Sequence, residues 1–345
     1  MSFWNSIQGP GAVTWYEKVA SFDCAEPLVL SARGESYGYH KTVLLEETVS
    51  AALPAGVNSP LIVDGTFGGG GHTRLLLERG ARVIGIDRDP EALAQGEDLL
   101  ARYPDQLRLV QSNFARVATV LRELGEPAVD GLLVDLGVSS HQLDAAERGF
   151  SFQRSGPLDM RMGPDAERTA ADLVNELPEE ELARILFVYG EEKASRRIAS
   201  KICQRRLEEP FTETLELANL ISSCVRKVGR AHPATRSFQA LRIAVNGELD
   251  AVEQLLEDSA SVIRPGGRLA VITFHSLEDR LVKHFLRERS VETVDRPEWP
   301  APVPNPKKQF DLVSRKSIVA CADELDVNPR SRSARLRVAQ RSQNQ

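Results

Sequence analysis

Cysteine is scarce. Four are present, at positions 24, 203, 224 and 321, and no two form a C-x-x-C pair. That spacing argues against a disulfide framework and a cysteine zinc site, and it suits a reducing cytoplasm, the expected location. No apolar run approaches the roughly 20 residues needed to span a bilayer. No basic-then-apolar leader opens the chain, so neither export nor a membrane partner is expected. Excess positive charge is missing too: the formal net charge is −6. General nucleic-acid binders are basic because phosphate contacts dominate their affinity. A nucleic-acid partner would therefore be a structured target met through a local basic patch. No internal repeat or long low-complexity tract is present. What remains is ordinary for a globular protein, with 42% hydrophobic and 27% charged residues among 345. A chain of this length can bury a large core and hold two domains.

Two phosphate-binding signatures are absent from the most informative segment. It reads Leu61-Ile62-Val63-Asp64-Gly65-Thr66-Phe67-Gly68-Gly69-Gly70-Gly71-His72. The G-x-G-x-x-G fingerprint fails, ending on Thr73 if counted from Gly68 and on Arg74 if counted from Gly69. No Gly-Lys-Ser/Thr follows, so it is not a P-loop. The apolar run ending at Asp64 reads as a buried parallel strand. The glycines let the backbone turn and approach a ligand, and 72–79 reads as the helix that follows. A second strand ends at Asp87, where a carboxylate can accept hydrogen bonds from two ribose hydroxyls. Asp64 at the loop mouth repels a pyrophosphate and favours a cation. S-adenosylmethionine carries a sulfonium and an ammonium and no phosphate, so it is the leading cofactor. The plain alternative is a glycine turn of any α/β protein, which the two carboxylates in register disfavour.

Strand and helix signals go on alternating. Helices are expected over 90–101 and 115–124, and strands over 107–111 and 129–136. Four such units imply a parallel, doubly wound α/β sheet, whose ligands sit at the carboxyl ends of the strands. Asp64, Asp87, Asn113-Phe114 and Asp135 fall at those ends. From 143 to 235 no strand is expected, only helices over 179–188, 191–206 and 214–228. The sheet pattern then resumes with one long helix over 238–262, a turn at 264–267 and a strand over 268–274. Five prolines in 297–306 mark an exposed connection. The alternation over 333–339 reads as a final strand.

Further blocks carry a family resemblance. They are Tyr39-His40-Lys41-Thr42-Val43-Leu44-Leu45, Ile86-Asp87-Arg88-Asp89, Asp135-Leu136-Gly137-Val138-Ser139-Ser140, Gly149-Phe150-Ser151-Phe152, Gly156-Pro157-Leu158-Asp159-Met160-Arg161-Met162, His232-Pro233-Ala234-Thr235-Arg236 and Phe274-His275-Ser276-Leu277-Glu278-Asp279-Arg280. With the glycine segment, they resemble the RsmH (MraW) family of bacterial small-subunit rRNA cytosine-N4 methyltransferases from about 39 to 341. The resemblance implies a class I, Rossmann-like methyltransferase sheet with an antiparallel last strand and an inserted helical domain. The expected organisation is an extension of unassigned role at 1–36, a methyltransferase domain at 37–142 and 236–345, and a helical substrate-recognition insert at 143–235. For the cofactor, it implies Gly70, Gly71 and His72 on the methionine and ribose side, and Asp87 on the ribose hydroxyls. Phe114 would lie near the adenine, with Asp135 and Gln142 completing the pocket. The implied target is a cytidine in the decoding (P-site) region of 16S rRNA within the small ribosomal subunit, not DNA.

A cytosine amine is a poor nucleophile, because its lone pair is delocalised into the ring. It needs in-line placement and an acceptor for its protons. The Asn/Asp-Pro-Pro-aromatic loop of many amino-methyltransferases is missing here. Asp135 is the first candidate acceptor. Asp159 and His275 are weaker ones, each balanced by a structural role: Asp159 as an ion-pair partner of Arg161, His275 as a cap at a strand end. For RNA, Lys193, Arg197, Lys201 and Arg205 recur every four residues, with Arg196 and Arg206 beside them. Ala194, Ile198 and Ile202 form an apolar stripe at the same spacing. Arg332, Arg335 and Arg337 make a second basic cluster. Such faces are often merely solvated, and glutamates flank the first one. Two other readings stay open: a methyltransferase for DNA, protein or a small molecule, and a non-catalytic ribosome assembly factor.

Overall fold

The computed structural model describes residues 42–226, 232–295 and 297–343. The 1–36 extension and Tyr39-His40-Lys41 lie outside the described residues. Seven strands form one sheet: β1 Leu61–Asp64, β2 Arg82–Asp87, β3 Leu107–Gln111, β4 Val129–Asp135, β5 Ile263–Thr273, β6 Phe310–Leu312 and β7 Arg335–Arg341. Their order is β3-β2-β1-β4-β5-β7-β6. The first five are parallel, and β7 runs antiparallel between β5 and β6. The order reverses between β1 and β4, which is where such sheets open a ligand crevice.

Both faces of the sheet are covered, which is why its inner strands read as unbroken apolar runs. Leu61, Val63, Ile84, Ile86, Leu132 and Val134 face the Val117–Glu123 and Glu248–Val262 helices. Ile62 and Val83 point the other way, toward Phe67, Leu76 and Leu77. The alternation of the pleat thus sorts neighbouring residues into two cores. No described helix is long and apolar enough to cross a membrane.

Several boundaries differ from expectation. The 238–262 helix is two helices, Thr235–Asn246 and Glu248–Val262, broken at Gly247 with φ 59°. Apolar spacing runs on through the break, and only the glycine marks it. The 90–101 helix also divides, into Pro90–Ala94 and Glu97–Arg102, where Gly96 packs against Phe67 and Leu109. A short 3-10 turn, Phe114–Arg116, precedes the Val117–Glu123 helix. The 191–206 helix starts at Ser195, because Glu191 takes a left-handed turn with φ 48°. β5 begins at Ile263 and includes the expected 264–267 turn as an irregularity against β4. β6 and a two-residue ladder between Thr293–Val294 and Val303–Pro304 carried no sequence signal.

Five helices, Ala170–Glu176, Glu179–Val188, Ser195–Arg205, Thr214–Cys224 and Thr235–Asn246, enclose a separate core. Leu186, Ile198, Ile202, Phe211, Ile221 and Leu241 fill it, and it reaches Val245, beyond 235. The Gly149 and Gly156 motifs close one end of this layer, backbone against backbone. A Cβ on Gly149, where φ is +73°, would lie 2.2 Å from the Pro157 carbonyl oxygen. One on Gly156 would lie 1.9 Å from that of Ala146. Asn246 ties the turn down, donating to the Met160 carbonyl and accepting from the Met162 N–H, each at 2.8 Å.

Candidate active site

Asp64 ends β1 and is fully buried. The Thr73 hydroxyl donates to it at 2.8 Å and the Thr66 N–H at 3.3 Å. Burial nevertheless raises its pKa to about 6. Beyond it, Gly70 takes φ +71° and starts the Gly71–Glu78 helix. A Cβ on Gly71 would sit 1.9 Å from the Thr42 hydroxyl, so the loop and the 42–44 segment touch directly.

His72 is buried, with its Nε2 3.2 Å from the Val43 carbonyl oxygen. A carbonyl only accepts, so Nε2 carries the hydrogen. Burial lowers the ring's pKa to about 4. The folded ring therefore stays neutral over a range in which the unfolded one, at 6.5, takes up a proton. Its contribution is complete above pH 6.5 and is lost as pH falls toward 4, by about 3 kcal/mol. Asp64 acts with the opposite sign, since its raised pKa removes stability as pH rises from 3.8 through 6. His72→Gln, which keeps a donor for Val43, should flatten the acid-side loss. Urea unfolding of both proteins across this window tests it, and equal slopes would exclude His72 as the source.

Asp87 grips the loop from the other side. It accepts the Gly68 N–H at 2.8 Å and the Asp89 N–H at 2.9 Å. Burial raises its pKa against those two bonds. Asn113 caps the following turn through the Ala115 N–H, and half-buried Phe114 packs beside Gly65. The buried Gln142 amide donates to Asp89 at 2.8 Å and accepts the Ser139 N–H at 3.1 Å. Arg148 reaches the same Asp89 oxygen at 2.8 Å. Gln142 thus braces Asp89, the N-cap of the Pro90–Ala94 helix that follows β2.

Asp135 ends β4. Its N–H donates to the Thr66 hydroxyl at 2.6 Å, while its Oδ1 is buried with no hydrogen-bond partner. Burial, then the charges of Asp64 and Glu278, hold its carboxyl well above the usual range. Thr66 therefore links the glycine loop to β4, and a threonine at the loop's start was its only sequence signal.

The other two acceptor candidates are engaged elsewhere. Arg161 clamps Asp159 with two bonds of 2.8 Å. Burial opposes ionisation of Asp159, but the Arg161 bonds outweigh it and its pKa is lowered. His275 caps the Ser276–Ser290 helix instead of a strand end, with Nδ1 accepting the Glu278 N–H at 3.4 Å. Its Nε2 lies 3.0 Å from a Glu278 oxygen but lacks hydrogen-bond alignment. Burial works against the Glu278 charge, yet His275 and Arg242 keep its pKa low. Glu248, His275 and Glu278 are close enough to hold a cation, but Arg242 already takes both oxygens of Glu248 at 2.8 Å.

Lys193, Arg196, Arg197 and Lys201 are exposed on the helical layer, over the buried Ile198 and Ile202. Arg205 leaves that row: it stacks over Phe211 at 4.9 Å and pairs with Glu209. Arg206 turns to the Val174 carbonyl. Of the second cluster, Arg335 is exposed, with a 3.3 Å bond to Ser317, and Arg337 is held by Asp279. A C-terminal strap went unnoticed in the sequence. Glu324 accepts the Leu44 N–H at 2.9 Å, and Arg330 donates to Asp144 at 2.8 Å. It joins the segment beside Gly71 to the helix that follows β4.

The donor set suits a cofactor with a cationic end and a ribose: buried Asp64, half-buried Asp87, an orphaned oxygen and a glycine cradle that a Cβ would fill. Together with the strand order, it defines a class I methyltransferase that uses S-adenosylmethionine. The MraW methylase family model matches residues 38–342. Curated relatives named ribosomal RNA small subunit methyltransferase H include one from Caulobacter vibrioides (strain NA1000 / CB15N), 54% identical over 88% of this chain and 96% of its own. Those from Caulobacter sp. (strain K31) and Heliobacterium mobile are 53% and 48% identical, over 88% of this chain and 93% and 99% of theirs. The chain belongs to the MraW methylase family.

Proposed function

We propose that this chain methylates N4 of a cytidine in the decoding region of 16S rRNA, within the small ribosomal subunit. The target class is suggested by the names of the relatives. The observation that carries the chemistry is the unpartnered Asp135 oxygen at the end of β4. S-adenosylmethionine supplies the electrophilic methyl group. The residues supply the rest: Asp87 and the glycine loop orient, and ionised Asp135 accepts a hydrogen bond from the amine and then its proton. The helical layer at 143–235 is read as the substrate-recognition insert, and 37–142 with 236–345 as the catalytic body. Methyl transfer measured on purified small subunits, on free RNA and on a cytosine-to-uracil target tests the reading. Equal activity on the uracil target, or none on any substrate, would overturn it.

Within this reading, the exposed Lys193, Arg197 and Lys201 follow an RNA backbone, with Arg335 at a second contact. Arg205, turned onto Phe211, contributes little. Reversing the first three charges together should weaken subunit binding and reduce the log–log salt slope by roughly one unit per lost contact. Cofactor affinity should hold. Parallel salt series of equal affinity would assign this face to solvent.

A further inference from the structure

Asp135 poses a charge problem that its neighbours do not solve. Its Oδ1 is buried without a partner, and Thr66 takes only its N–H. The groups that act on it directly are both acidic: Asp64 from β1 and Glu278 from the Ser276–Ser290 helix. Asp87 adds negative charge behind Asp64. Of the nearby basic side chains, His275 lies against Glu278 and Arg242 is clamped by Glu248. Among the described residues, no cation pairs with this carboxylate. Carboxylates gathered this closely, Asp64 and Glu278 fully buried and Asp135 with its Oδ1 buried, cannot all ionise cheaply.

We propose that Asp135 carries a proton in the empty site and gives it up to solvent when the sulfonium cofactor arrives, so that the charged cofactor expels a proton that its neutral thioether product does not. This rests on the reading of Asp135 as a residue facing the methyl-transfer locus. The balance is simple. The O–H bond of the carboxyl breaks, the proton goes to bulk water, and the remaining carboxylate neutralises the incoming sulfonium. The ammonium and carboxylate of the cofactor are common to both ligands and cancel in the comparison. Asp135 is thus made a competent proton acceptor only when a methyl donor is present. Once the methyl has passed to the substrate amine, the sulfonium has become a neutral thioether and the site again favours a protonated Asp135. Discrimination between fresh and spent cofactor is therefore linked to pH: affinity for the donor strengthens as pH rises toward the titration of Asp135, and affinity for the product changes less.

The test is titration calorimetry of the full chain with S-adenosylmethionine and with S-adenosylhomocysteine, in buffers of different ionisation enthalpy. The donor should release about one proton more than the product. Asp135→Asn should abolish that difference, and Asp64→Asn, which removes a neighbouring negative charge, should move it to lower pH. Equal release by both ligands in the wild type would overturn the proposal, as would a difference that survives Asp135→Asn. Should a variant fail to bind, infrared difference spectra of the wild type decide. A protonated-carboxyl band must disappear on adding the donor and persist on adding the product; any other pattern refutes it. Neither measurement involves RNA, so a failure here is separate from a failure of the proposed substrate.

Discussion

Gly149→Ala is expected to destabilise the protein by roughly 3–5 kcal/mol, from positive-φ strain together with overpacking. The added Cβ would meet the Pro157 carbonyl at 2.2 Å and the Asp159 N–H nitrogen at 2.7 Å. Both are backbone atoms, and that backbone is pinned. Leu158 donates to Thr212 at 2.8 Å, and Met160 donates to Arg148 at 3.1 Å. No flexible side-chain end can yield. The damage should spread to the cofactor pocket, because Arg148 also braces Asp89. Urea and thermal unfolding check this. A melting curve that matches wild type would show that the two glycine motifs do not meet as closely as described.

Asp87→Ala should weaken S-adenosylmethionine binding by roughly 10²–10⁴-fold while leaving the protein folded. Two ribose hydroxyls would lose a charged acceptor, at about 1.5–3 kcal/mol each. The same substitution frees the Gly68 and Asp89 N–H groups, so the loop loses its anchor as well. Asp87→Asn keeps one acceptor oxygen and should fall between. Calorimetric titration with circular dichroism as a folding check measures both. Unchanged affinity in Asp87→Ala would remove this carboxylate from the ribose site.

The first four strands were legible because each couples a short apolar run to a polar residue at its carboxyl end. Asp64, Asp87 and Asp135 could be placed from that pattern alone. Gly247 could not, because the apolar repeat of 235–262 passes through it in phase. The row Lys193, Arg197, Lys201, Arg205 reads as uniform, since helical spacing says which face a residue starts from. It does not say where a long side chain ends, and Phe211 draws Arg205 inward. His72 and Gln142 came into view only through family resemblance. Their side chains bond Val43 and Asp89, partners that no local spacing specifies. The strap is harder still: Glu324 and Leu44 lie 280 positions apart. His275 reads from the sequence as a strand-end cap and is a helix N-cap, with Glu278 at the capping-box interval.

The place of β7 bears on how the molecule is made. It follows every other described strand, yet it sits between β5 and β6. During synthesis, β5 therefore presents an open edge whose Leu269–Thr273 residues are all destined for the interior. β6 has no partner in the sheet until β7 arrives. An unpaired apolar edge recruits strands from other chains. Nascent or prematurely ended chains that stop before 335 should thus self-associate, and solubility should return only when the final strand is present to separate the two edges.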